Sequence, residues 1–239
     1  MTAVGPGARA AGDGGRAPAS DTLVVQTAFL GDVVLTTPLL AALAERHGPV
    51  DVVTTPAAAS LLETHPAVAT VIRYDKRGAD RGPLGLWRLG RRLRGRGFVR
   101  AYLPHRSWRS AALAVLAGIG ERVGFAGSPA AAAYTRRVRL PADGHEAERL
   151  LALADVRTGV PPVHIELTPD DRAAADAWLR ARGIEPGFVA MAPGSIWGTK
   201  RWPYYAELAA ALEVPIVVVG GREDAPLAAA IAAAAPGRA

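Results

Sequence analysis

The chain has 239 residues, half of them apolar, which is enough for one large domain or two small domains with a sizeable core. The absence of cysteine excludes disulfides, thiolate metal sites and cysteine nucleophiles, and it fits a reducing compartment. The net charge is +6, and all the basic residues except Lys76 and Lys200 are arginines. The longest apolar stretches, residues 111–119 and 227–235, are too short to span a bilayer, and no secretory signal is visible. We therefore expect a cytoplasmic protein without a transmembrane segment.

Residues 1–20 are rich in Gly, Ala and Pro and lack periodicity, which predicts a disordered leader. From Leu23 onward, short apolar runs alternate with stretches of helical periodicity. The pattern predicts a doubly wound parallel sheet, of α/β class, in a first domain over residues 21–165. The predicted strands cover residues 23–26, 50–54, 68–74, 99–103 and 121–124, and the predicted helices cover residues 32–45, 57–64, 84–94 and 107–117.

A second region, residues 166–239, is predicted to hold a linker helix and a partial α/β domain. A helix over residues 145–158 and the stiff pair Pro161-Pro162 precede it. The linker helix begins near Thr168 and ends near Gly183, and it is followed by a strand at 188–191, a helix at 204–212, a strand at 215–219 and an Ala-rich helix. A typical sheet has about five to six strands, so two strands leave this domain incomplete. Either another element covers the sheet or the chain is a fragment.

The loop between residues 190 and 203 has the composition of a diphosphate site. Gly194 allows close approach of a ligand to the backbone, and Ser195 and Thr199 supply hydroxyls. Lys200 supplies a compact positive charge, and the helix that follows, with Pro203 in its first turn, offers unpaired N–H groups. The alternative is that Lys200 is an ordinary solvated residue before a helix.

Gly31-Asp32 lies where the first predicted strand turns into a helix, at the kind of crevice in which doubly wound folds bind ligands. An ionised Asp32 facing this cleft can accept a proton from a sugar hydroxyl. The alternative is that Asp32 only caps its helix. The glycine fingerprint of dinucleotide-binding folds is absent, which argues against a nicotinamide cofactor.

Residues 76–109 form a strongly basic segment in which Asp80 is the one acidic residue. Such a segment binds an anionic acceptor, binds nucleic acid or is simply a solvated surface. Trp87 and Trp108 are expected to pack in the core or in a groove, because they lie on helices with an apolar pattern. His105 and Arg106 follow the fourth strand and either contact an acceptor in the cleft or lie on the surface. The five histidines show no metal-ligand spacing.

Four segments together resemble glycosyltransferase family 9, the bacterial heptosyltransferases. They are Gly31-Asp32 with the following TTPLLAAL, then VGFAGS at residues 123–128, PGSIWGTKRWPYYAELAAAL at 193–212, and VVVGGREDAPLA at 217–228. The resemblance implies the GT-B fold of two facing Rossmann-like domains, and transfer of heptose from an ADP-sugar to the lipopolysaccharide inner core with inversion. It implies no cofactor and no obligatory metal. It further implies that Asp32 is the general base, that Gly194, Ser195, Thr199 and Lys200 hold the donor diphosphate, and that Glu223 contacts the nucleoside.

One departure from the family pattern matters. Family members continue into an Asn-Asp-Ser-Gly-like motif and a His, and nothing similar follows Gly221. We therefore expect a family member truncated within its second domain. The expected partners are a nucleotide-sugar donor and an anionic lipid-linked glycan acceptor at the inner membrane surface, with the protein monomeric and peripheral to that membrane. The alternative function is a non-catalytic polyanion-binding module, or an inactive remnant of a glycosyltransferase.

Overall fold

The computed structural model describes residues 20–156 and 159–239, which form two compact units divided between Leu167 and Thr168. We call them the N-terminal unit and the C-terminal unit. The predicted disordered leader lies outside the described residues except for Ser20, and so do the last two residues of the helix predicted over 145–158.

The N-terminal unit contains a parallel sheet of the strands β1 (Thr22–Val25), β2 (Val50–Thr54), β3 (Val68–Arg73), β4 (Arg100–Leu103), β5 (Glu121–Phe125) and β6 (Arg136–Val138). The strand order is β3-β2-β1-β4-β5-β6, which confirms the predicted doubly wound fold. The sixth strand was not predicted, because two of its three residues are arginines and it lacks an apolar run.

Helices cover both faces of this sheet, as a parallel sheet requires. Successive residues of β1 point to opposite faces, so Leu23 and Val25 lie in one core cluster and Val24 lies in the other. The first cluster packs under α3 (Gly82–Arg94) and α4 (Trp108–Leu116). The second packs under α1 (Leu30–His47), α2 (Pro56–Ala59) and α5 (Glu146–Leu151).

The predicted core packing of Trp87 and Trp108 was wrong, although Trp87 does border a shallow groove together with Arg91, Arg94 and Leu116. Trp87 is 46% exposed and Trp108 is 61% exposed. The apolar faces of α3 and α4 are instead formed by residues such as Leu86, Leu89 and Leu113. A helical apolar pattern does not specify which of its large residues turn outward.

Helix α1 continues through Pro38, which lacks the N–H that would bond to the carbonyl of Val34. The hydroxyl of Thr37 donates to that carbonyl at 2.8 Å, and the hydroxyl of Thr36 donates to the carbonyl of Asp32 at 2.7 Å. The two threonines therefore support the helix around the proline, and the helix can run from the cleft described below to His47.

The C-terminal unit contains α6 (Pro169–Arg180), β7 (Val189–Met191), α7 (Tyr205–Ala211), β8 (Ile216–Val218) and α8 (Ala225–Ala234). Its two described strands pair in parallel, which confirms the predicted incomplete second sheet. A small core of Met191, Ala209, Ile216, Ile231 and Ala235 lies between the strands and helices. Helix α7 begins at Tyr205, so Pro203 precedes the helix. The prediction that Pro203 lies in the first turn of this helix was therefore wrong.

Candidate functional site

A cleft of about 1040 Å³ opens at the carboxyl ends of β1 to β4 in the N-terminal unit. In the strand order, the chain passes from β1 outward to β2 and β3 and then returns to β4 on the other side of β1. The cleft therefore lies at the topological switch point, where open α/β sheets bind ligands. The loops that follow the four strands supply most of its lining, namely residues 26–30, 55–57, 74–77 and 104–106.

Asp32 lies in the first turn of α1 and lines this cleft. Its Oδ2 accepts a hydrogen bond from the backbone N–H of Phe29, the N-cap residue, at 3.1 Å. This is the return half of a capping box, and it holds the carboxylate at the positive end of the helix. Asp32 is therefore both a helix-capping residue and a cleft carboxylate, so the two interpretations left open by the sequence are not exclusive.

Gly31 is exposed beside Asp32, and a Cβ built on it would meet no atom within 4 Å. Its φ does not lie in the left-handed region. Neither backbone conformation nor packing requires glycine at this position. The missing side chain leaves space on the solvent side of the first turn of α1.

His105 follows β4 and reaches the loop after β1. Its Nδ1 lies 3.3 Å from the hydroxyl of Thr27. Burial lowers the pKa of His105, the positive charges of Lys76 and Arg106 lower it further, and the carboxylate of Asp32 acts in the opposite direction. The imidazole is therefore held towards its neutral form beside an acidic and two basic groups.

Lys76, in the loop after β3, contacts the loop after β1, as His105 does. Its Nζ donates a hydrogen bond to the backbone carbonyl of Thr27. Burial lowers the pKa of Lys76, and the neighbouring charges of Arg77 and Arg109 act in the same direction. The sequence placed Lys76 only in the basic segment of residues 76–109. The rarity of lysine in this chain is the one signal that could have placed it in the site.

Two buried polar residues at the ends of strands also line the cleft and were missed. Gln26 is 3% exposed, and its amide donates to the hydroxyl of Thr36 at 2.9 Å. Tyr74 is 4% exposed, and burial raises the pKa of its phenol. Gln26 was assigned to the end of a predicted strand, and only the topology shows that this end opens into a cleft.

The other carboxylates of the cleft are engaged locally. Asp75 accepts backbone hydrogen bonds from Gly78 at 2.8 Å and Ala79 at 3.2 Å. Glu146 pairs with Arg149 at 2.8 Å. Asp32 accepts a single hydrogen bond, from one backbone N–H, and unlike Glu146 it forms no ion pair among the residues described.

The loop between residues 190 and 203 lies in the C-terminal unit, and we call it the glycine loop. Hydrogen bonds among its own residues hold it in place. The hydroxyl of Ser195 accepts from the backbone N–H of Trp197 at 3.2 Å, and the guanidinium of Arg201 donates to the carbonyl of Ser195 at 2.8 Å. Thr199 and Lys200 lie in a short 3₁₀ turn and are exposed. Arg201 therefore fixes the loop, whereas the side chains of Thr199 and Lys200 face solvent.

Gly194 has a packing role in this loop. A Cβ on Gly194 would lie 2.2 Å from Oδ2 of Asp224. The same oxygen accepts the backbone N–H of Gly221 at 2.9 Å, so the Asp224 carboxylate joins the loops that follow β7 and β8. Glu223 is exposed in the adjacent 3₁₀ turn. Glu223 was predicted as a site residue from the sequence, whereas its neighbour Asp224, which makes the contact, was not predicted.

In residues 20–156 and 159–239, no cluster of three or more His, Asp or Glu side chains has the arrangement of a metal site. Over the same residues, no helix combines the length and the apolar character needed to cross a membrane.

The fold and the cleft define an α/β protein with a Rossmann-like unit whose largest described opening lies at the switch point of the sheet. The sequence pattern of glycosyltransferase family 9 (heptosyltransferase) matches residues 86–238, which is more than half of the chain. The chain belongs to this family of glycosyltransferases. A comparison with curated proteins gives no significant match.

Solved structures show the same fold. A glycosyltransferase family 9 protein from Veillonella parvula is 23% identical, with a TM-score of 0.75, and the alignment covers 89% of this chain and 66% of that one. The E. coli ADP-heptose LPS heptosyltransferase II is 24% identical, with a TM-score of 0.74 and coverages of 89% and 68%. E. coli heptosyltransferase WaaC, solved with ADP-2-deoxy-2-fluoro heptose, is 21% identical, with a TM-score of 0.63 and coverages of 91% and 73%. The chain thus spans about two thirds to three quarters of the length of these neighbours.

Proposed function

We propose that this protein transfers a heptose, or a related sugar, from an ADP-sugar to a hydroxyl group of the lipopolysaccharide inner core, with inversion at the anomeric carbon. The observation that carries the proposal is the Asp32 carboxylate at the switch-point cleft of a family 9 chain. Two structural neighbours, the E. coli ADP-heptose LPS heptosyltransferase II and WaaC with an ADP-heptose analogue, support the choice of donor and acceptor.

In the proposed reaction, Asp32 accepts the proton of the acceptor hydroxyl. The hydroxyl oxygen forms a bond to the anomeric carbon while the bond from that carbon to the β-phosphate oxygen breaks, and ADP leaves with the electron pair. The contact with Phe29 holds the base in place, because a fixed carboxylate loses little freedom on reaching the transition state. Gly31 leaves room for the acceptor, and His105, Lys76 and Arg106 supply hydrogen bonds and positive charge to its anionic groups.

For the donor we propose that Lys200 neutralises the charge that develops on the departing ADP, a role for which its exposed position in the glycine loop suits it. Ser195 and Thr199 are proposed to bind the diphosphate and Glu223 the nucleoside. Gly194 is proposed to shape the loop through its contact with Asp224. No metal or cofactor takes part in this scheme.

The test is a transfer assay with ADP-heptose and a heptose-free inner-core acceptor, read by the mass of the product and by release of ADP. The proposal predicts that the acceptor gains one heptose and that one ADP is released for each transfer. UDP-glucose serves as the control donor and should give no product. Binding of the acceptor without any release of ADP would favour the alternative, a non-catalytic module that binds polyanions.

A further inference from the structure

One surface of the N-terminal unit combines exposed apolar side chains with a dense set of arginines. Helices α3 and α4 pack side by side on the same face of the sheet, where the absence of a side chain on Gly90 lets α3 approach Leu116 of α4 closely. We call their outward side the α3–α4 face. Its exposed residues are Leu84, Trp87, Arg88, Arg91, Arg92 and Arg94 on α3, and Trp108, Arg109 and Val115 on α4.

The apolar members of this face are large and well exposed. Leu84 is 73% exposed and Trp108 is 61% exposed, and both lie in the first turns of their helices. Trp87 lies one turn after Leu84 on α3, and the guanidinium of Arg91 stacks over its ring at 4.9 Å. These residues recur at a spacing of three to four, so they share one stripe of the helix.

The polar members of the face all carry positive charge. Helix α3 contributes four arginines and α4 contributes one, and neither helix contains Asp or Glu. On the outward side of α3, Leu84 and Trp87 lie among the arginines, and this is the combination that suits a membrane interface, where aromatic rings sit at the headgroup level and basic residues contact anionic lipids. A solvated arginine surface needs no large apolar residues, and non-specific binding of nucleic-acid phosphates gains its affinity essentially from charge, with no need for an exposed leucine.

We propose that the α3–α4 face docks on an anionic phospholipid bilayer. Leu84, Trp87 and Trp108 enter the interface between headgroups and acyl chains, and the arginines contact lipid phosphates. Both helices begin at the edge of the sheet where the cleft opens, so docking brings the mouth of the cleft close to the membrane surface. The docking does not depend on the proposed sugar transfer, and its test uses neither donor nor acceptor.

The test is co-sedimentation of the protein with vesicles of equimolar phosphatidylcholine and phosphatidylglycerol, compared with vesicles of phosphatidylcholine alone. We expect binding to the anionic vesicles that weakens as salt is added, because salt screens the arginine charges. The triple variant Arg88→Glu, Arg91→Glu, Arg92→Glu should bind the anionic vesicles at least roughly tenfold more weakly, since each basic residue near such a surface adds measurably to binding. The double variant Leu84→Ser, Trp108→Ser should also bind more weakly while keeping the salt dependence.

The C-terminal unit supplies a matched control. Arg182 stacks on Trp178 at 3.9 Å, so the same pair of residue types exists there, but next to a helix that carries Asp170, Asp171 and Asp176. The triple variant Arg172→Glu, Arg180→Glu, Arg182→Glu makes the same change in net charge and should bind vesicles within about twofold of the wild type. Quenching by brominated lipids should fall in Trp87→Phe and Trp108→Phe and stay unchanged in Trp178→Phe.

Three results would overturn the proposal. One is equal binding to neutral and anionic vesicles, or no binding to either. Another is an equal loss of binding in the two triple arginine variants, which would show that only net charge matters. The last is tight binding of double-stranded DNA that the α3 arginine variant loses while the Leu84 and Trp108 variant keeps it, which would assign the face to nucleic acid.

Discussion

The carboxylate of Asp32 accepts a hydrogen bond from the backbone N–H of Phe29 at 3.1 Å, across the first turn of α1. The bond uses Oδ2, and Oδ1 makes no hydrogen bond among the residues described. The same side chain can therefore cap the helix with one oxygen and accept a proton with the other. Because the two roles use different oxygens, substitutions at and around Asp32 can separate them.

Gly31→Ala tests whether the open space beside Asp32 is used by a ligand. Gly31 lies in a helical turn and a Cβ would meet nothing, so alanine should raise the stability of α1 by up to about 1 kcal/mol. If the acceptor occupies this space, KM for the acceptor should rise while the fold becomes more stable. Thermal unfolding and a transfer assay on the same preparation measure both effects, and an unchanged KM would show that the acceptor does not approach Gly31.

The pKa of His105 reports whether Asp32 faces it. Burial lowers this pKa below its usual value of about 6.5, and the Asp32 carboxylate opposes that effect. Asp32→Asn should therefore lower the pKa of His105 further, as measured by NMR titration of the imidazole with the peak assigned through His105→Gln. A pKa that stays the same in Asp32→Asn would place the two groups too far apart to interact.

The lowered pKa of His105 also makes the stability of the N-terminal unit depend on pH. A histidine whose pKa is lowered in the folded state binds fewer protons there than in the unfolded chain. The contribution of His105 to the free energy of unfolding is present above pH 6.5, the usual pKa of histidine. It is lost as the pH falls through the lower pKa that His105 has in the folded protein. The loss amounts to about 1.4 kcal/mol for each pH unit between the two pKa values. Compared with His105→Gln, the wild type should thus lose stability on acidification, as measured by urea unfolding at a series of pH values.

Lys200→Ala tests the donor loop. If Lys200 stabilises the departing diphosphate, kcat should fall about a hundredfold or more. Lys200→Arg should also be impaired, because a planar guanidinium does not replace a compact ammonium in a short turn. Arg201→Ala is the comparison, since its guanidinium is bonded to the carbonyl of Ser195 and its loss should loosen the loop and raise the donor KM. Near-normal turnover in Lys200→Ala would remove Lys200 from the mechanism.

An ion pair between a buried carboxylate of β2 and a partly exposed guanidinium stabilises the N-terminal unit. The Asp51 carboxylate is 1% exposed and lies 2.6 Å from the guanidinium of Arg96. Burial raises the pKa of Asp51, and Arg96 acts against that rise. Arg96→Met should leave a buried charge without its partner and destabilise the N-terminal unit by about 3 kcal/mol. Adding Asp51→Asn should recover part of the loss, and urea unfolding of the two variants decides whether it does.

The sequence predicted the sheet, the order of the elements and the incomplete second sheet, because buried parallel strands are short apolar runs that stand out between amphipathic helices. It did not predict β6, whose arginines carry no strand signal, or the outward position of Trp87 and Trp108. It also selected Glu223 where Asp224 makes the structural contact. Residues at the ends of strands, such as Gln26, Tyr74 and Lys76, could not be assigned to one cleft until the strand order was known.

The most direct test of the proposed function is Asp32→Asn, with transfer and donor binding measured on the same protein. Asparagine can accept the N–H of Phe29 with its carbonyl oxygen, so α1 and the fold should be retained. As a general base, Asp32 should contribute about a hundredfold or more to the rate of heptose transfer. We predict a loss of transfer of that size with the Kd for ADP unchanged by isothermal titration calorimetry. Transfer within a few-fold of the wild type would contradict the account and leave Asp32 only its capping role.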